Sequence, residues 1–214
     1  MRVESGATVQ AGVVLMLLAG VSAGLLVGLN RLGAPAVAEN QARFEADRLR
    51  SVLSGIAFDN SPGNDRVVIV PRDAAHGVRH VYRVARLRQR VAVVLDLETP
   101  RAYSGTLRML AAVGADGAVV GVTVVAHKET PGLGDRIEPG RSDWLRQLDG
   151  RRTEMKNDWR LSRDGGNIDA LTGATVTSRA ALAGVKRGLE FLRVHRAAIE
   201  AAPAGSALET IDGG

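Results

Sequence analysis

Cysteine is absent from the 214 residues of this chain. That excludes disulfides, cysteine-ligated iron–sulfur clusters and thioether attachment of haem. Redox chemistry here requires an organic cofactor or a metal held without thiolates. Aromatic residues make up only 3% of the chain, and lysine occurs only at Lys128, Lys156 and Lys186. The net charge of +5 is therefore carried almost wholly by arginines, which are spread along the chain among acids. With no compact basic block and few rings for base stacking, nucleic acid is not expected as a partner. Of the four histidines, only His76 and His80 stand four apart. They read as two surface imidazoles beside a turn, and no metal site is expected.

One stretch lacks charge altogether. Residues 11–29, AGVVLMLLAGVSAGLLVGL, would form a helix of roughly 28 Å, close to the thickness of a hydrocarbon core. Gly20, Gly24 and Gly28 give small-residue spacings that permit close packing against other membrane helices. A cleaved signal peptide is the rival reading, since Ala36-Val37-Ala38 resembles a cleavage site. The apolar run is longer than a signal core, which favours an uncleaved anchor. Arg31, Arg43, Arg48 and Arg50 follow the span while only Arg2 precedes it. A plain positive-inside count then puts the C-terminal part in the cytoplasm.

The expected organisation is a short end (1–10), an anchor (11–30), a stalk helix (31–60), one soluble domain (61–200) and a disordered tail (201–214). Val-rich runs at Val67–Val70, Val78–Val84 and Val91–Leu97 read as strands. Gly105–Val113 and Ala118–Ala126 read as a hairpin through Gly114-Ala115-Asp116-Gly117. A short helix is expected over Ser142–Leu148. Leu182, Val185, Leu189 and Leu192 recur at helical spacing, which predicts a long helix from Thr177 to about Ile199, capped by Thr177 or Ser178. The fold class is α+β: an N-terminal transmembrane helix, then one domain with an antiparallel sheet packed by helices.

Two segments carry chemistry. In Thr172-Gly173-Ala174-Thr175, Gly173 permits close backbone approach, Ala174 adds no bulk and Thr175 presents a hydroxyl at a helix mouth. Helix N-termini favour phosphate, so that hydroxyl lies where an anion binds. Asp169 is placed to orient the loop or to help deprotonate the hydroxyl. An ordinary N-cap turn is the plain alternative. Ser5-Gly6-Ala7-Thr8 repeats the pattern without a preceding aspartate and reads as a decoy. The second segment, His127-Lys128-Glu129-Thr130-Pro131-Gly132-Leu133-Gly134-Asp135, follows an apolar strand. Its proline and glycines shape a loop able to close over a flat ligand, a tight surface turn being the bland reading.

HKETPGLGD (127–135), DGGNIDALTGATVTS (164–178) and the hairpin YSGTLRMLAAVGADGAVVGVTVVAH (103–127) together resemble the FMN-binding domain of the G subunit of the Rnf-type electron transport complex. The C subunit of the sodium-pumping NADH:quinone oxidoreductase shares the S/T-G-A-T site but is usually longer. The resemblance implies one FMN joined through its phosphate to Thr175 by a flavin transferase. It places Asp169, Thr172, Gly173, Ala174 and Thr177 around that attachment, and Glu129, Thr130, Gly132, Leu133 and Gly134 beside the flavin. It implies no catalytic residue of the chain's own. The expected role is electron relay within a multi-subunit, ferredoxin- and NAD-linked ion-translocating complex of the bacterial inner membrane, with the domain in the periplasm. That side opposes the arginine count. Three alternatives stand beside this reading: a stand-alone membrane flavoprotein, a cofactor-free scaffold, and a hydrolase using Thr175 with His127 as base.

Overall fold

The computed structural model describes residues 4–70, 76–154 and 159–210. The chain divides into two compact units, residues 1–44 and 45–214. Helix α1 runs from Glu4 to Val52 and includes the apolar stretch. Within it, Gln10–Gly28 is long and apolar enough to cross a membrane, with a mean hydropathy of 2.3. Leu15, Leu17, Leu18, Leu25 and Leu26 are all exposed. A helix that is apolar all round and unburied by its own protein has the composition of a lipid-facing span.

The second unit is built on a six-stranded sheet. Its strands are β1 (Arg66–Val70), β2 (Val78–Arg86), β3 (Gln89–Ala102), β4 (Gly105–Gly114), β5 (Val119–Ala126) and β6 (Ala207–Glu209), in the order β5-β4-β3-β2-β1-β6. Strands β1 to β5 pair antiparallel in sequence order. The sheet is antiparallel as expected over these five strands, and at one edge β6 adds a parallel pairing to β1 through Val68–Ala207 and Ile69–Leu208. The same strand corrects the expected disorder of the tail over 207–209. Thr210 N–H then donates to Val70 O at 2.7 Å, extending the pairing. Residues 211–214 of that tail lie outside the described residues.

Both faces of the sheet are covered, which is why β3 reads as a nearly unbroken apolar run. Val93, Leu95 and Leu97 join the core cluster that contains the second helix, α2 (Thr175–Ala201), through Leu182, Val185, Leu189 and Leu192. Ala92 and Val94 point the other way, into a cluster with Leu49, Val52, Leu53 and Tyr82. Each fully buried Leu or Val contributes roughly 1.5–3 kcal/mol relative to exposure.

Two buried charges fix the ends of this arrangement. Arg83 of β2 donates to the carbonyls of Ile199 and Ala202 at 3.0 and 2.6 Å, supplying donors to the acceptors left open at the end of α2. Its Nε donates to Asp65 Oδ1 at 2.8 Å. Asp96 of β3 is fully buried, accepts two bonds from Arg108 at 2.9 and 2.7 Å, and lies 2.9 Å from His80 Nδ1. Burial pushes the Asp96 carboxyl upward, but the Arg108 and His80 bonds outweigh it and leave the group below the usual carboxylate range. His76 is occupied elsewhere, its Nδ1 accepting Val78 N–H at 2.9 Å.

After β5 the chain crosses one end of the sheet in tight turns, Gly134–Ile137, Trp144–Leu148 and Ser162–Asp164, before entering α2. The helix expected over Ser142–Leu148 is thus a short 3-10 turn. Its Trp144 and Leu148 are buried in the core, so it serves as an apolar plug rather than a freestanding helix.

Candidate functional site

The first and third of these turns reach the start of α2 and leave a cleft of about 480 Å³, lined by Tyr103, Glu129, Thr130, Leu133, Gly134, Arg163 and residues 173–177. That size falls in the roughly 300–1,000 Å³ range of ligand clefts.

The helix begins two residues earlier than its spacing suggests, at Thr175, with Ala174 as the cap residue. Alanine has no side-chain acceptor, and no side chain caps this end. The hydroxyls expected to cap are committed elsewhere. Thr177 donates to Glu129 Oε2. Ser178 Oγ donates to Ala174 O and accepts Leu171 N–H, both at 3.0 Å. The first main-chain bond of the helix is Ser178 N–H to Ala174 O, at 3.0 Å. The amides ahead of it remain available to an anion.

Thr175 itself is half-buried at the cleft, and its hydroxyl accepts a bond from Arg163 Nη1 at 2.9 Å. Gly173, with φ +79°, makes the turn that delivers it. A Cβ at Gly173 would stand 2.8 Å from Leu133 Cδ2. The two predicted segments are therefore packed against each other.

Glu129 is the joint between them. Only 6% exposed, its carboxylate accepts the Thr177 hydroxyl and Ser104 N–H, the latter at 2.9 Å. It links the loop after β5 to α2 and to the β3–β4 turn. Gly134 has to be small there, because a Cβ would come within 2.8 Å of Glu129 Cβ and Oε2. The loop closes on itself through Leu133 and Gly134 N–H donating to Thr130 O at 3.2 and 3.1 Å. Behind it, Glu129 N–H donates to His127 Nδ1 at 3.1 Å, and His127 Nε2 lies 2.6 Å from Glu138 Oε1. The His127 and Arg141 bonds hold Glu138 below the usual carboxylate range.

The structure thus brings Thr175, Gly173, Ala174, Thr177, Glu129, Thr130, Leu133 and Gly134 to one cleft. Gly132, Thr172 and Asp169 are not among the lining residues. Asp169 sits to one side: Oδ1 accepts the Ser162 hydroxyl at 3.0 Å, and its carbonyl accepts Trp144 Nε1–H at 2.5 Å. His127 is also outside the lining. Sequence reasoning missed Arg163, Tyr103 and Val176. Tyr103, Leu133 and Val176 are 71%, 45% and 45% exposed, giving the cleft an apolar rim. Large exposed side chains at a cleft mouth are a ligand signal that only the fold makes visible. An anion-ready helix end, a nucleophilic hydroxyl and an apolar rim together fit a flat ligand with a phosphate at one end.

The FMN-binding domain family matches residues 102–190, and every cleft-lining residue lies within that span. The chain is similar to the G subunit of the ion-translocating oxidoreductase complex of Escherichia coli O157:H7, 34% identical over 178 residues, which cover 82% of this chain and 86% of that protein. It is 37% identical to the corresponding G subunit of Pseudomonas aeruginosa over 180 residues, covering 82% and 84%. With that of Cereibacter sphaeroides the identity is 41% over 161 residues, covering 73% and 72%. The crystal structure of Shewanella oneidensis NqrC aligns with a TM-score of 0.43 and 26% identity, over 57% of this chain and 61% of that one. This chain belongs to the G-subunit family of ion-translocating oxidoreductase complexes and contains its FMN-binding domain.

Proposed function

We propose that Thr175 carries one FMN through a phosphodiester and that the chain serves electron relay within an ion-translocating oxidoreductase complex of the inner membrane. The observation that carries the reading is the start of α2, which no side chain caps. Ala174 leaves the first-turn amides unused, with the Thr175 hydroxyl beside them and Arg163 on that hydroxyl. Bound there, FMN supplies reversible electron chemistry that the cysteine-free chain lacks.

The residues divide the remaining work. Thr175 Oγ provides the tether, which keeps the carrier from diffusing away. The first turn of α2 holds the phosphate end. Tyr103, Leu133 and Val176 offer apolar surface for the ring, and Glu129 keeps the two walls at a fixed separation through Thr177 and Ser104. The attachment calls for a flavin transferase as a maturation partner, and the relay calls for the other members of the complex. A hydrolase with His127 as base draws no support from the geometry, since His127 is held by Glu138 and Glu129 N–H outside the cleft lining.

Denaturing-gel fluorescence after co-expression with a flavin transferase tests the attachment. The expected result is a fluorescent wild-type band, retained in Thr8→Ala and lost in Thr175→Ala. Fluorescence surviving Thr175→Ala contradicts it. The same reading puts residues 45–214 in the periplasm, against the arginine count. An alkaline phosphatase fused to the C-terminus should therefore be active in cells, and an inactive fusion contradicts that side.

A further inference from the structure

We infer that Arg163 is the anion anchor of the attachment site: it holds the Thr175 hydroxyl before modification and pairs with the phosphodiester afterwards. The inference rests on the flavin attachment proposed above and adds a residue to it.

The present partner of Arg163 is a poor match for its chemistry. A guanidinium is a rigid fork of donors suited to an anion with two oxygens, whereas Thr175 offers one neutral hydroxyl oxygen at 2.9 Å. Among the described residues no carboxylate forms an ion pair with Arg163. The adjacent carboxylate, Asp164, is committed to Arg179 through bonds of 2.8 and 2.7 Å. The loop is nonetheless built to keep Arg163 in place. Buried Leu161 and Ile168 pair as a bridge, Ser162 N–H donates to Ile168 O at 2.7 Å, and Gly166 N–H donates to Leu161 O at 3.0 Å. The Asp164–Arg179 pair ties the same turn to α2. An exposed arginine held over a nucleophile, beside a helix end with no side-chain cap, is a phosphate site awaiting its anion. The copy of the motif that ends at Thr8 lies within α1.

The step is a phosphoryl transfer with no net oxidation. The Thr175 hydroxyl oxygen bonds to the flavin-side phosphorus of a flavin dinucleotide, and the pyrophosphate bridge bond breaks. The nucleoside monophosphate leaves with the electron pair, and the hydroxyl proton passes to a base of the transferase. Arg163 offsets negative charge as it gathers on the non-bridging oxygens. The product keeps one negative charge on two such oxygens, which accept a guanidinium side by side.

The test follows covalent mass gain over time for full-length wild-type, Arg163→Ala, Arg163→Lys and Arg160→Ala proteins, each given flavin dinucleotide and the transferase. Arg163→Ala should load at least about tenfold more slowly, the scale of one charge-assisted contact to a transferring phosphate. Arg163→Lys should recover part of the rate, and Arg160→Ala should match wild type. Once fully loaded, Arg163→Ala should show a displaced phosphorus-31 line for the diester at an unchanged melting temperature, a change that a purely structural role would not produce. A wild-type loading rate in Arg163→Ala, or an unmoved phosphorus line, overturns the inference. If Arg163→Ala does not fold, Arg163→Gln carries the same test. Wild-type protein that gains no mass removes the attachment reading and this inference together. Wild-type protein that gains mass, matched by Arg163→Ala, removes only the role of Arg163.

Discussion

The Thr177 hydroxyl donates to Glu129 Oε2 across 48 residues of sequence, inside the wall of the cleft at the start of α2. The bond joins the first turn of α2 to the loop after β5, so the two motifs of the sequence act as one structure. Replacing Glu129 with Ala leaves the Thr177 hydroxyl and Ser104 N–H without this acceptor. Thr177 is fully buried, and a buried group stranded this way costs about 1–3 kcal/mol, so Glu129→Ala should lose about that much stability and unfold at lower urea. Glu129→Gln keeps the shape and an acceptor oxygen, and should lose less.

Gly173 is held at φ +79°, where an L side chain is strained. Gly173→Ala should destabilise the fold by about 1–2 kcal/mol. Its Cβ also presses on Leu133, the residue across the cleft. Chemical unfolding should register the stability change, and the fraction of protein carrying covalent flavin should fall with it.

Acid should weaken the fold through Asp96. Its carboxyl is buried, and despite the upward push of burial it stays below its ordinary value because Arg108 and His80 bond to its charged form. A carboxyl depressed in the folded state stabilises the fold above its unfolded pKa of about 3.9, and that contribution is lost as pH falls through the folded value. Urea midpoints measured from pH 7 downward should therefore hold to about pH 4 and then drop. Asp96→Asn should start less stable at pH 7 and show a shallower fall in acid.

Much of the frame is legible in the residues because the signals are local. Strands β1 to β3 follow Val-rich runs, β4 and β5 follow the hairpin read around Gly114–Gly117, and α2 follows its leucine spacing. What stays hidden depends on partners far along the chain. Strand β6 is only three residues, and its pairing is with β1, nearly 140 residues earlier. The start of α2 is masked because Thr177 and Ser178 look like caps, while the fold gives their hydroxyls to Glu129 and to the Leu171–Ala174 turn. Arg163 sits in a loop with no periodicity. Its meaning emerges only when the Leu161–Ile168 bridge sets it above Thr175.

The attachment at Thr175 is tested most directly by weighing the intact protein after production with its flavin transferase. The account predicts a mass above that of the polypeptide by one FMN less one water, confined by fragmentation to the peptide containing Thr175. A mature protein that weighs only what its amino acids weigh contradicts it.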